Sequence, residues 1–441
     1  MQRLKSFLRG TGLLLVVIAG IAAWLLMPWV AALGVAAALA LWMWLTRRGR
    51  QARSVAEVGL STLPQRLGSS LVIVIGIAGV VGVLVALLAM AEGYRTTLRR
   101  SGSTDTAIVL RGGSAAEAMS VLANEDVTVI GDTAGIARDA DGEPLVSPEL
   151  VVAANLAVKG GGPDDLGSVQ FRGVGPQAFA VRPNVELVAG RRFTPGLREL
   201  IAGTGAQRQF AGLEVGNEIK LGSQVWTVVG IFESGDAMAS EVWADAATVA
   251  SAYRRGSSRT SVFARLTDAG AFDAFKAALA GDPRLSVDTM TTLEYFEKQS
   301  SQMTTILRVV GKVVGGIMAI GALFGALNCM FAAVAARARE IATLRAIGFR
   351  GLPVVVAVML ETMLLALAGG VIGGLVAWLA FNGFTASTIA GGVGQLTFHF
   401  QVTPELLWTG IKWALAIGFV GGLYPAVRAA RLPVTTALRE S

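Results

Sequence analysis

The chain has 441 residues, of which 53% are hydrophobic and only 16% charged, with a mean hydropathy of +0.58. That is too apolar for a water-soluble globule of this size, yet the middle of the chain is ordinary in charge and turn content; membrane helices at both ends with a soluble domain between them fit this mixture. The net charge of +7 collects in short loops beside apolar runs, a positive-inside pattern that accounts for the basic excess without nucleic acid. A single cysteine, Cys329, rules out an intramolecular disulfide, and the single histidine, His399, has no Cys or His companion for a zinc site.

Residues 1–9 are basic and precede two apolar stretches, 11–27 and 29–45, separated by Pro28 and followed by Arg47, Arg48, Arg50 and Arg53. The first stretch imitates a signal peptide, with small residues at Ala19, Ala22 and Ala23, but the second apolar segment follows at once and opposes cleavage. Arginines at both ends predict a tight helical hairpin with both ends cytoplasmic. Each arm is short for a span, so a partly inserted re-entrant pair is the other reading. Residues 55–67, with Glu57 and Arg66, read as an interfacial helix, and 69–90 as a full span ending at Glu92, Arg95, Arg99 and Arg100.

No apolar run between 101 and 302 is long enough to cross a bilayer, and the stretch reads as α+β. Strands are predicted at 106–110, 127–130 and 168–172, with a hairpin from 218–221 and 224–232. A ferredoxin-like β-α-β unit is predicted from 260–266, 269–280 and 285–290. Residues 294–312 are polar but helical in pattern and run without proline into 313–335, which predicts one long helix whose first part stands outside the bilayer as a stalk. A span at 352–380, an external loop carrying 387–404 and a span at 406–427 follow. Arg428, Arg431 and Arg439 then place the C-terminus in the cytoplasm.

The expected class is therefore an α-helical membrane protein with a large extracytoplasmic α+β domain and four core transmembrane helices plus the extra N-terminal hairpin. Its expected divisions are 1–53 (hairpin), 54–92 (interfacial helix and first core helix) and 93–303 (external domain). They continue with 304–335 (stalk and second helix), 336–351 (cytoplasmic loop helix) and 352–441 (third and fourth helices and tail). Glycines at Gly76, Gly79, Gly82, Gly311, Gly315, Gly316, Gly369, Gly370, Gly373, Gly374, Gly418, Gly421 and Gly422 mark faces for close helix approach. Glu361, about two turns into an apolar helix, is an intramembrane carboxylate; proton coupling and a structural hydrogen-bonding role are both open to it.

The loop from Arg337 to Gly348 sits between two apolar segments and reads as a short amphipathic helix. Ile341, Leu344 and Ile347 share one face at three-residue spacing, Arg337, Arg339, Glu340 and Arg345 occupy the rest, Gly348 is a C-cap, and Pro353 opens the next span. Two readings stand: something soluble docks on this helix, or it is a solvated basic loop that only sets topology.

The order of one span, a large external domain and three spans with a charged loop resembles the permease subunits of MacB/FtsX-type ABC transporters, also called type VII or mechanotransmission transporters. The resemblance rests on Asn328 followed by Arg337-x-Arg-Glu-Ile-x-x-Leu-Arg-x-Ile-Gly348, and on Leu360-Glu-x-x-Leu-Leu-x-Leu-x-Gly-Gly370-x-Ile-Gly373. It rests also on Gly422-Leu-Tyr-Pro-Ala-x-Arg-Ala-Ala-Arg-Leu432 with Ala437-Leu-Arg439. Ala189-Gly-Arg-Arg-Phe193, Val215-Gly-Asn-Glu-Ile219 and Val228-Val-Gly-Ile231 look like the family's MacB-type periplasmic core domain. The likeness runs from about Val55 to the end; the N-terminal hairpin departs from the four-span pattern.

The resemblance implies that two permease copies, as a homodimer or a heterodimer of paralogues, associate with cytoplasmic ABC ATPase subunits. In the family, ATP-driven motion passes through a coupling helix to the spans, and through the stalk to the external domains. Carried onto this sequence, Arg337, Arg339, Glu340, Ile341, Leu344, Arg345, Ile347 and Gly348 form the ATPase-docking element. The 441 residues contain no G-x-x-x-x-G-K-[ST] loop, so ATP and Mg are expected on the partner ATPase, with no cofactor and no catalytic site in this chain. Further expected partners are membrane lipids and a periplasmic adaptor or binding protein, and the expected location is the bacterial inner membrane. The expected work is export or extraction of a lipid, lipoprotein, peptide or antibiotic; the alternative is a division-type regulator that activates a cell-wall hydrolase. An enzyme of the bilayer surface is disfavoured, because no paired carboxylates, nucleophile elbow or metal cluster stands at a consistent membrane depth.

Overall fold

A computed structural model describes residues 19–61, 67–162, 165–336, 338–349, 351–390 and 394–431. The chain divides into a helical unit (Met1–Met90, Leu307–Asn382, Gln401–Ser441) and an α+β unit (Ala91–Ile306, Gly383–Phe400). The helical unit begins, among the described residues, with α1 (Ala19–Leu26) and α2 (Trp29–Leu45), which meet at 118° across Pro28. Proline cannot donate the hydrogen bond that would carry a helix through this point. Helix α3 (Arg47–Ser61) follows directly, and α4 (Leu67–Arg100) is the first long apolar helix.

The interfacial helix expected over 55–67 instead starts at Arg47. Thr46 is the reason: it leaves the helical conformation, and its Oγ1 accepts the Gly49 N–H at 2.9 Å, capping a new helix. That helix ends at Ser61, and residues 62–66 lie outside the described residues. A division between 53 and 54 therefore falls in the middle of one helix.

In chain order the α+β unit contains β1 (Thr106–Arg111), α5 (Asn124–Gly131), β2 (Val146–Ala157), β3 (Leu166–Val174), α6 (Ala178–Val181), β4 (Glu186–Gly190), β5 (Glu199–Gly203) and α7 (Thr204–Gln209). Next come β6 (Glu218–Leu221), β7 (Gln224–Glu233), β8 (Val242–Asp245), α8 (Ala246–Ala252), β9 (Ser261–Arg265), α9 (Phe272–Gly281) and β10 (Val287–Thr291). Strands β1 to β10 form one sheet in the order β10-β1-β9-β2-β3-β8-β5-β7-β4, with β6 on β7. Both β9 and β10 run antiparallel to β1, which lies between them, so β9-α9-β10 is the expected β-α-β unit, split by β1. The β6–β7 hairpin also forms as expected.

Two apolar cores lie along this sheet. One gathers Val109, Ile130, Val262 and Phe275; the other gathers Phe171, Phe210, Trp226 and Val242. The twelve-residue β2 serves both, with Val146 in the first and residues from Leu150 to Leu156 in the second.

One expected strand is a helix. Residues 127–130 carry β-branched side chains, but they lie in α5, where the Asp126 carboxylate accepts the Ala123 N–H at 2.9 Å and Glu125 adds charge to the first turn. Capping and the burial of Ile130 outweigh a modest strand propensity.

The helical unit continues with α10 (Thr292–Ala336), whose first residues belong to the α+β unit, then α11 (Ala338–Ala346), α12 (Gly351–Phe381) and α13 (Pro404–Arg431). Among the described residues, α4, α10, α12 and α13 are long and apolar enough to cross a membrane, and the bent α1–α2 pair has the composition of a fifth span. Helix α10 is unbroken over 45 residues. Small residues bring the bundle together: a Cβ on Gly369 would stand 2.8 Å from the Val74 carbonyl of α4, and Gly418 and Gly422 of α13 face Ala366 and Thr362 of α12. Gly76, Gly79 and Gly316 have nothing within 4 Å of an added Cβ. The N-terminal element is clasped to α13: the Lys412 ammonium donates to the Leu25 carbonyl at 2.6 Å, and Trp24 Nε1 donates to the Lys412 carbonyl at 3.0 Å.

The segment read as an external loop holds a hairpin, β11 (Thr385–Ala390) and β12 (Gly394–His399). It packs within the α+β unit, where the Thr397 N–H donates to Ser240 Oγ at 2.9 Å and Phe398 meets Tyr94 edge-on at 5.6 Å. His399 Nδ1 lies 3.0 Å from Thr385 Oγ1 across the hairpin.

Candidate functional site: the loop helix α11 and the carboxylate behind it

Helix α11 ends in a Schellman closure. The Gly348 N–H donates to the Arg345 carbonyl, the Phe349 N–H donates to the Leu344 carbonyl, and Gly348 has φ +106°, a conformation glycine adopts without a Cβ penalty. This closure turns the chain sharply between α11 and α12. Arg337 lies outside the described residues.

The three apolar residues at three-residue spacing do not act together. Ile341 is buried at 6% exposure, Leu344 is half-buried, and Ile347 is 69% exposed. Ile341 and Leu344 line a small cavity of about 40 Å³ with Val58 of α3, Met330 of α10 and Val358 and Glu361 of α12. The inner face of α11 thus belongs to the helical unit itself. Arg339, Glu340, Thr343, Ala346 and Ile347 form its exposed side, and Arg345 is half-buried. Glu361 is 6% exposed in the wall of the same cavity, so this carboxylate and the loop helix share one small space. Sequence reasoning named both groups but had no means of placing them together.

It missed a buried ionic network in the α+β unit. Arg172 on β3, 1% exposed, reaches Glu117 at 2.7 Å, Glu149 at 2.8 Å and Glu241 at 2.7 Å. Arg182 holds both oxygens of Glu149, at 2.6 and 2.9 Å, and lies over the Phe263 ring at 3.9 Å. Ser261 and Trp243 donate to Glu117 and Glu241. The stalk joins in as well: the Glu117 N–H donates to the Tyr295 hydroxyl of α10 at 3.2 Å. Burial by itself would raise the Glu149 carboxyl, but Arg182 and Arg172 together hold it below the usual carboxylate range. Burial likewise raises Glu241, and there Arg172 does not fully offset it. The available signal was weak: the charged residues at 149 and 172 in two strands that otherwise carry no charge.

Beside this network, an open groove of about 1010 Å³ is lined by Tyr94, Met119, Lys276, Lys298, Met303 and Ile306. It is large enough for a drug-sized ligand. Among the described residues, no group of three or more His, Cys, Asp or Glu is placed to hold a metal ion.

Comparison with known proteins adds the family. A MacB-like periplasmic core domain matches residues 69–281, and an FtsX-like permease C-terminal domain matches 312–434. The macrolide export ATP-binding/permease protein MacB of Shewanella oneidensis is 26% identical over 430 residues, covering 89% of this chain and 61% of that protein. The MacB of Escherichia coli is 25% identical over 423 residues, covering 90% and 62%, and that of Photorhabdus laumondii is 28% identical, covering 51% and 35%. The chain thus spans between about a third and three fifths of the length of these relatives. The periplasmic region of MacB from Actinobacillus actinomycetemcomitans aligns with a TM-score of 0.33 at 16% identity, covering 44% of this chain and 91% of that one. With a periplasmic core match over 69–281 and a permease match over 312–434 following it in the chain, the protein belongs to the MacB/FtsX-type family of ABC transporter permeases.

Proposed function

We propose that this chain is the transmembrane subunit through which a cytoplasmic ABC ATPase does work on the far side of a bacterial inner membrane. A pair of permease copies is driven by ATP hydrolysis that takes place outside these 441 residues. The observation that carries the reading is the division of α11 into two faces: Ile341 seated inside the permease, and Arg339, Thr343 and Ile347 left outside. An ATPase that grips the outer face moves the inner face with it, and the cavity beside Glu361 is what that motion deforms. Helix α10 relays the displacement, and the groove by Met119 and Met303 is where the α+β unit meets an amphiphilic cargo for export or extraction. A periplasmic adaptor is a further partner of that unit.

The test is co-purification of the ATPase with variants of the outer face. Arg339→Glu combined with Ile347→Asp is expected to weaken the complex at least about tenfold, roughly 1.4 kcal/mol, while the permease elutes as a folded species. Leu344→Asp is a poorer probe, since it puts a carboxylate against the cavity and damages the permease. An unchanged ATPase stoichiometry in the outer-face double variant removes the docking assignment.

A further inference from the structure

We propose that the corner between α2 and α3 is a binding site for the phosphate headgroups of acidic phospholipids, held by Arg47, Arg48 and Arg50. Neither family domain reaches this region, since the first match begins at residue 69.

The corner is built to present these side chains. Thr46 ends α2 and caps α3. Gly49 lies so close to α2 that a Cβ there would stand 2.6 Å from the Met43 Cα, so only glycine permits the approach. Arg53 lies 5.8 Å from the Trp44 ring centroid and pairs with Glu57 at 2.8 Å. Helix α3 then turns its small residues, Gly49, Ala52, Ala56 and Gly59, toward the bundle, and all four are buried. Arg47, Arg48 and Arg50 remain exposed, and among the described residues no carboxylate pairs with any of them. Their charge does not serve the helix, because cations in a first turn oppose its dipole.

The neighbourhood identifies the occupant as lipid. Helix α2 is apolar on every side, leaves Leu33, Leu41 and Leu45 at 58% exposure or more, and is about 26 Å long, close to the hydrocarbon thickness of a bilayer. Trp44, 70% exposed, stands at the end where the arginines begin, as aromatic side chains do at headgroup depth. Three unpaired guanidiniums at that depth face phosphates, and clustered basic residues beside a membrane helix select acidic lipids. Guanidinium matches a phosphate with paired hydrogen bonds that a zwitterionic lipid's own ammonium would contest. Because Val55, Val58 and Gly59 of the same α3 line the cavity behind Ile341 and Leu344, headgroups bound at the corner also fix one wall of that cavity.

The experiment is lipid retention by the full chain in mixed micelles of phosphatidylglycerol and phosphatidylcholine, read by native mass spectrometry. The wild type is expected to keep phosphatidylglycerol preferentially, and less of it as salt rises. The triple variant Arg47→Gln, Arg48→Gln, Arg50→Gln is expected to lose about a hundredfold in retention, about fivefold per arginine, from about 1 kcal/mol each. A control with Arg138→Gln, Arg208→Gln and Arg254→Gln in the α+β unit is expected to match the wild type. Equal retention of the two lipids, or the same loss in the control, overturns the site. Displacement of the lipid by inorganic phosphate alone reassigns it to a free anion and overturns the lipid reading. Unchanged lipid retention with loss of the ATPase in the triple variant makes the surface a protein contact and overturns it equally.

Discussion

At the scale of single residues, Arg172 carries the largest consequence. Three carboxylates close on one buried guanidinium, so its removal strands Glu117 and Glu241 with no counter-charge. Arg172→Ala is expected to cost about 3–5 kcal/mol, measured by thermal or denaturant unfolding of the α+β unit. The pH dependence follows from two opposed shifts. Glu149, held low, adds stability that is present above the ordinary carboxylate range and is lost as pH falls through its lowered value. Glu241, held high, favours its neutral form, so its contribution is full in acid and is lost as pH rises through the raised value. Glu241→Gln, neutral at every pH, is therefore expected to remove the second loss: unfolding temperatures of the variant fall less than those of the wild type between acidic and neutral pH. Identical pH profiles for the two proteins refute the assignment of the raised group. None of this was legible in the sequence, because the five partners come from five separate segments and a lone Arg or Glu in a strand reads as a solvated edge. The Gly348 cap was legible, since a local backbone requirement leaves its mark at one position.

At the scale of elements, hydropathy located α10, α12 and α13 to within a few residues, because each must be apolar over its own length whatever its neighbours do, whereas α4 continues past its apolar run to Arg100. The short elements escaped where local and tertiary signals disagreed. Helix α5 is rich in β-branched residues, and the β11–β12 hairpin gains its partner only by packing on distant residues such as Ser240. Helix α10 is where element and mechanism meet. Unbroken over 45 residues, it is about 68 Å long and contains no proline. A glycine-rich insertion between Met303 and Thr304 is expected to abolish transport while leaving ATPase binding intact, whereas a helix-forming insertion of equal length is expected to spare part of the activity. Full transport by the glycine-rich variant in cells shows that force does not travel along this helix.

At the scale of the whole molecule, sidedness is the property to measure. The basic loops predict that Arg48, Arg345 and Arg431 are cytoplasmic, and the match to a periplasmic core domain predicts that Thr227 and Thr388 are outside. In a Cys329→Ser background, impermeant thiol reagents added to intact cells are expected to label cysteines at 227 and 388, and to reach those at 48, 345 and 431 only after lysis. Labelling at 345 from outside inverts the arrangement and with it the ATPase reading.

The α+β unit is assembled from two stretches of chain, with two membrane helices coded between them, because the hairpin of β11 and β12 returns to it from beyond α12. Gly394 sits so close to the Gln170 backbone that any other residue there would collide with β3. Genetic exchange of one contiguous stretch between relatives would therefore transplant a surface without the piece that covers it. Inheritance must keep both stretches together, and a hybrid permease that takes only these two stretches from a relative needs four crossovers rather than two.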